Sequence, residues 1–134
     1  MIKIYQLPIE TVSESNQSEH WAKKHARHKL QRLKIGIFWH SIGSITLPCT
    51  IRLTRISPRL LDDDNLVSAF KHIRDCIADN IFPEATLGKR KRTDIHCTLY
   101  GRADADHRIK WEYAQEKGRF SQEHKQGIKI EIIS

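Results

Sequence analysis

Apolar and polar residues alternate along Cys49-Thr50-Ile51-Arg52-Leu53-Thr54-Arg55-Ile56, and a period of two over that length predicts a strand with one buried face. Pro58 breaks it. Beyond an acidic run the period lengthens: Leu66, Phe70, Ile73 and Ile77, with Val67 beside them, predict a helix over about 65–80 burying one stripe. Upstream, Ile2, Ile4, Leu7 and Ile9 predict an opening strand over 2–9, which Pro8 ends or leaves at an exposed edge. Asn16 and Glu19 have the spacing of a capping box, so a helix is expected from near Ser18 to about residue 40. Ala22, Ala26, Leu30, Leu33 and Ile37 are its expected buried stripe; residues 36–43 end it, with Phe38 and Trp39 returning to the core. Residues 81–103 are irregular, punctuated by Pro83 and Gly88. Ile109-Lys110-Trp111-Glu112-Tyr113 and Gly127-Ile128-Lys129-Ile130-Glu131-Ile132-Ile133 alternate again, and the last strand is expected antiparallel to 108–117. There is no internal repeat. These elements predict an α/β (α+β) fold: one domain over 1–134, a mixed sheet packed with two main helices, and an irregular basic insertion at about 81–103.

A chain of 134 residues with 39% hydrophobic content holds one modest core. No apolar run is long enough to span a bilayer, and Met1-Ile2-Lys3-Ile4-Tyr5 lacks the features of a signal peptide, so a cytoplasmic protein is expected, with no membrane partner. Cys49, Cys76 and Cys97 are isolated and read as reduced thiols rather than a zinc site or a disulfide framework. The net charge of +7, from 23 Lys and Arg against 16 acidic residues, favours a polyanionic partner. Lys23, Lys24, Arg27, Lys29, Arg32 and Lys34 stud the first helix with no acidic residue among them, as a nucleic-acid contact or as a solvated face. His25 and His28 have no third ligand nearby, and the spacing of Asp94, His96 and Cys97 matches no metal motif. The block Lys89-Arg90-Lys91-Arg92 reads as a loop that touches DNA.

Candidate chemistry concentrates in Leu60-Leu61-Asp62-Asp63-Asp64-Asn65-Leu66. One or two carboxylates at a helix start are explained by capping and the dipole. Three exceed that need and predict a divalent cation on oxygen ligands. In an extended approach, Asp62 and Asp64 share one side while Asp63 faces away. A second pair, Asp104 and Asp106, precedes the strand at Ile109, where it would complete a site begun by Asp62 and Asp64. Arg59 would contact substrate phosphate or balance the charge; Lys71, leaning back along the helix, would be a counter-ion or a stabiliser of phosphoryl charge. In a basic protein this set points to metal-assisted phosphodiester hydrolysis. GxxxxGKS, HExxH and GxSxG motifs are absent.

Arg59-Leu60-Leu61-Asp62-Asp63-Asp64-Asn65-Leu66, a helix, and then Asp104-Ala105-Asp106-His107-Arg108-Ile109 together resemble the RusA-type Holliday-junction resolvases of bacteria and their prophages. The resemblance covers about residues 47–117. It implies a homodimeric, Mg²⁺-dependent endonuclease (Mn²⁺ substituting) that nicks four-way DNA junctions symmetrically, with Asp62, Asp64 and Asp106 as metal ligands and Asp104 as an alternative or auxiliary one. The chain departs from the family at Ser68, where the family has its lysine, so that Lys71 takes that role, and at Ala105, which splits the acidic pair. On this reading Lys23, Lys24, Arg27, Lys29, Arg59 and the 89–92 block bind DNA. The alternatives are a branched-DNA-binding phage protein on the same fold that cleaves weakly or not at all, and an interaction module with an acidic protein partner.

Overall fold

A computed structural model of the chain describes residues 1–13, 20–83 and 106–134. The elements are β1 (Ile2–Leu7), α1 (Trp21–Ile42), β2 (Cys49–Ser57), α2 (Asp63–Ile81), β3 (Ile109–Lys117) and β4 (Gly127–Ile133). The four strands form one mixed sheet in the order β1-β4-β2-β3, and the two helices make the mixed-sheet α+β domain expected from the sequence.

Residues two apart on a strand share a face, and the register aligns those faces across the sheet. Ile51 lies opposite Ile132 and Trp111, and Leu53 opposite Ile130 and Tyr113. Tyr5 lies opposite Ile130 on the other side of β4. These residues join Leu66, Phe70, Ile73 and Ile77 of α2 and Ile35, Phe38 and Trp39 of α1 in a single core, so both helices cover the same face. Ile51, Leu53, Phe70, Ile73, Ile77, Ile128 and Ile130 are fully buried. The opposite face carries Arg52, which reaches Glu112 at 3.0 Å and Glu131 at 3.4 Å, its direct partners on β3 and β4. Phe120 folds over the same face; a Cβ at Gly127 would collide with its ring, so the glycine is required by close approach.

Three expectations change. β4 does not pair with β3: it lies between β1 and β2, antiparallel to both, while β3 pairs in parallel with β2. A parallel pair needs a crossover, and α2 supplies it. The first helix starts at Trp21 and continues through Gly36 to Ile42, with His20 as N-cap; the capping box at Asn16 lies outside the described residues. Its expected buried stripe faces solvent, with Leu30 51%, Leu33 58% and Ile37 65% exposed, and Ala22 and Ala26 exposed beside them. The helix is seated instead by Gln31, Ile35, Phe38 and Trp39, on its other side.

Candidate metal and nucleic-acid site

At the carboxyl end of β2 the chain turns through Arg59 and Leu60 into α2. Asp62 is the N-cap: its Oδ1 accepts a hydrogen bond from the Asn65 amide at 2.9 Å, and Asp63 and Asp64 form the first turn. The helix therefore begins inside the acidic run, and the strand-like alternation expected for Asp62 and Asp64 does not apply. All three carboxylates are exposed, and no ion pair among the described residues involves them. The dipole accounts for part of this density of negative charge.

The turn is pinned from three sides. Leu61 donates its N–H to Gln115 Oε1 at 2.9 Å and accepts from Gln115 Nε2 at 2.6 Å, which ties the turn to β3. Arg55, 5% exposed and in phase with Ile51 and Leu53, donates Nε to Thr11 Oγ1 at 3.1 Å and Nη1 to the Arg59 carbonyl. Burial lowers the pKa of its guanidinium from the ordinary value. Ser13 Oγ donates to Asn65 Oδ1 at 2.5 Å. Residues 8–13 thus form a strap between the turn and α1.

The strap runs along α1, with Lys34 Nζ on the Pro8 carbonyl at 2.7 Å and Gln31 Nε2 on the Glu10 carbonyl at 2.8 Å. Between strap and helix lies a cavity of about 370 Å³, lined by Ile9, Val12, Lys23, Arg27, Leu30 and Gln31 among others. Between the helices, His28 stacks on His72 at 3.9 Å, and Arg32 pairs with Asp79 at 3.4 Å. Both helices advance in the same direction through these contacts. The N-terminal half of α1, with Lys23, Lys24 and Arg27, therefore shares one end of the molecule with the acidic turn.

The basic residues of α1 do not form a single face. Lys23, Arg27 and Lys34 border the strap, while Lys29 and Arg32 lie on the opposite flank, with the exposed apolar stripe between. Arg59 is exposed at the turn. Lys71 is exposed but forms no ion pair with the carboxylates among the described residues, and it lies about 10 Å along the helix from Asp64. Asp104 and the block Lys89, Arg90, Lys91 and Arg92 lie outside the described residues.

Asp106 does not join the turn. β2 and β3 are parallel and in register from Cys49↔Ile109 to Ser57↔Lys117, so the residues before β3 sit beside the start of β2, whereas the turn follows its end. The guanidinium of Arg108 lies 4.8 Å over Phe82, the C-cap of α2, which fixes the same end. The 19 residues of α2 put about 28 Å between the two acidic groups. Asp106 is instead chelated by Arg108, with Nη2–Oδ2 2.9 Å and Nε–Oδ1 3.0 Å, and the guanidinium holds its carboxyl down at about 2. The sequence placed it with Asp62 and Asp64 because both groups flank strands. The parallel pairing sends them to opposite ends.

Among the described residues no group of three or more His, Cys, Asp or Glu is arranged to hold a metal ion. His72 Nε2 contacts both the His28 carbonyl, at 3.2 Å, and Cys76 Sγ, at 3.5 Å, and burial pushes the Cys76 thiol up to about 11. No described helix is long and apolar enough to cross a membrane. No family model, curated protein or solved structure matches the chain.

Proposed function

We propose that the chain is a metal-dependent endodeoxyribonuclease acting on branched DNA, with four-way junctions as the substrate its resemblance to RusA-type resolvases implies. The observation that carries the reading is the pinned, exposed run Asp62-Asp63-Asp64, free of ion pairs among the described residues, at the end of the molecule that also presents Lys23, Lys24 and Arg27. Mg²⁺ keeps most of its waters and needs only one or two protein carboxylates when substrate phosphate fills the remaining positions, so this donor set fits it without a closed cage.

The resemblance implies that Asp62 and Asp64 would hold the ion; Asp62 Oδ1 already accepts from the Asn65 amide, which leaves its Oδ2 without that bond. Bound there, Mg²⁺ or Mn²⁺ supplies an activated water and neutralises charge on the phosphoryl oxygens. Gln115 and Arg55 hold the turn still, so the carboxylates meet the DNA without first being ordered. Lys23, Lys24 and Arg27 bind backbone phosphates and draw DNA toward the turn. Lys71 acts on phosphoryl charge only if DNA brings that charge up the helix.

A symmetric dimer belongs to this reading, because two opposed strands must be cut. The stripe Ala22, Ala26, Leu30, Leu33 and Ile37 suits it. Antiparallel pairing about Leu30 would set the small Ala22 and Ala26 against the large Ile37 and Leu33 of a second copy. The second reading, a branched-DNA-binding protein that does not cleave, is favoured by Ser68 in place of the family's lysine and by the remoteness of Asp106.

The test is incubation of a labelled synthetic four-way junction with Mg²⁺ and wild type or Asp64→Asn. Symmetric nicks lost in the variant, with junction binding kept, support the nuclease. Binding without nicks in either protein supports the second reading, and absence of binding at moderate salt removes both.

A further inference from the structure

One contact between the helices is made by two titratable rings. His28 of α1 and His72 of α2 stack face to face, with centroids 3.9 Å apart and planes within 9° of parallel. Both residues are half-buried. His72 Nε2 lies 3.2 Å from the His28 carbonyl oxygen, which can only accept, so Nε2 carries a hydrogen and donates it from one helix to the other. That donation survives protonation of either ring, because an imidazolium donates from both nitrogens. What protonation changes is the charge. One imidazolium over the face of a neutral ring is tolerated, as is any cation over an aromatic face. Two imidazoliums stacked at 3.9 Å and partly withdrawn from water repel each other strongly. Among the described residues the surroundings do little to offset this. Cys76 Sγ, 3.5 Å from His72 Nε2, stays a neutral thiol, since burial pushes it up to about 11. Lys24 and Arg32 stand four residues to either side of His28, while Asp75 and Asp79 follow His72 by three and seven. Arg32 already pairs with Asp79 at 3.4 Å, and Lys24 offsets Asp75 in formal charge.

We infer that this stack is a pH-sensitive latch between α1 and α2: the folded protein accommodates one proton on the pair, and a second drives the helices apart. The unfolded chain has no such limit, and there each histidine takes up its own proton as pH falls through about 6.5. Below that point the unfolded state binds more protons than the folded state, so stability rises with pH and is lost on acidification. The loss reaches beyond the helix pair, because α1 holds the strap through Gln31 on the Glu10 carbonyl and Lys34 on the Pro8 carbonyl. The strap in turn holds Arg55 and Asn65 through Thr11 and Ser13. Acid therefore loosens the acidic turn along with α1. The latch depends on the fold alone and holds whether or not the chain cleaves DNA.

The experiment is urea unfolding of wild type and His28→Phe at about pH 7.5 and about pH 5, with the ring nitrogens of wild type followed by NMR over the same range. Phe keeps an aromatic ring against His72 and leaves in place the carbonyl that accepts from Nε2, but it cannot be charged. Two sites that share one proton when folded, and titrate independently near 6.5 when unfolded, lower the folding equilibrium constant roughly tenfold over that interval. Wild type should therefore lose about tenfold more than His28→Phe, since carboxylates titrate alike in both. The two wild-type rings should hold one proton between them at the acid end. Equal losses in the two proteins, or two fully charged rings in a wild type that is still folded, overturn the latch. If His28→Phe does not fold, the ring titration of wild type decides by the same criterion.

Discussion

Replacing Asp106 by Asn tests the geometry of the site directly, because the sequence reading and the structure disagree about it. The carboxyl lies about 28 Å from the acidic turn, by the length of α2. That separation is nearly three times the screening length of about 10 Å at 0.1 M salt, so the carboxyl's charge is almost fully screened at the turn. Removing the charge should therefore change cation affinity at the turn by a few per cent, within error. Asn retains an oxygen that accepts from the Arg108 amide, as Asp106 Oδ1 does at 3.0 Å, so the local turn should persist. The assay is Mn²⁺ titration followed by electron paramagnetic resonance, with junction nicking measured in parallel. Asp106→Asn should match wild type in both, whereas Asp64→Asn should weaken Mn²⁺ binding at least tenfold. A tenfold loss of Mn²⁺ affinity in Asp106→Asn, with an unchanged melting temperature, would refute the separation of the two groups.

Three further outcomes follow. Gln115→Leu removes two hydrogen bonds to Leu61, each contributing about 1 kcal/mol net, so urea unfolding should show a loss of about 2 kcal/mol; an unchanged midpoint would mean the turn holds without them. The double change Leu33→Asp, Ile37→Asp should leave the melting temperature nearly unchanged, since both residues face solvent, while converting a sedimenting dimer to monomer; a wild type that is monomeric at every concentration would leave the stripe without its partner. The Asp106 carboxyl, depressed by Arg108, should titrate by carbon NMR near pH 2. Its pairing is present above the ordinary value of 3.8 and is lost as pH falls through about 2, so a midpoint near 3.8 would show that the chelate does not form.

The sequence disclosed the elements more fully than their arrangement. β2 and α2 were legible because each carries one apolar face with a clear period, and a polar side chain out of phase would bury an unpaired group. The first helix was misoriented because it has two apolar faces. Ala22, Ala26, Leu30, Leu33 and Ile37 make the cleaner stripe, yet Ile35, Phe38 and Trp39 are the residues that fill the space above the sheet. Periodicity does not choose between two faces of one helix. The separation of β4 from β3 was hidden for a different reason: strands adjacent in sequence usually pair, and here β4 lies between β1 and β2 instead. The acidic run Asp62-Asp63-Asp64 stood out by its charge density, whereas Gln115, Thr11 and Gln31 act through contacts far apart in sequence. Arg55 did leave a signal, a charged residue in phase with Ile51 and Leu53 on a strand whose face is otherwise apolar.

Arg52 has a consequence for how the sheet chooses its alignment. A slip of β4 by one residue would turn its isoleucines outward and is excluded by burial. A slip by two residues preserves every inward side chain, and the apolar pattern tolerates it. It would, however, carry Glu131 away from Arg52 and bring either Lys129 or Ile133 opposite the guanidinium. One direction of slip creates a like-charge pair and the other strands Glu131 without its cation. The Glu112–Arg52–Glu131 row spanning three strands is thus a key that discriminates between alignments the isoleucines treat as equal.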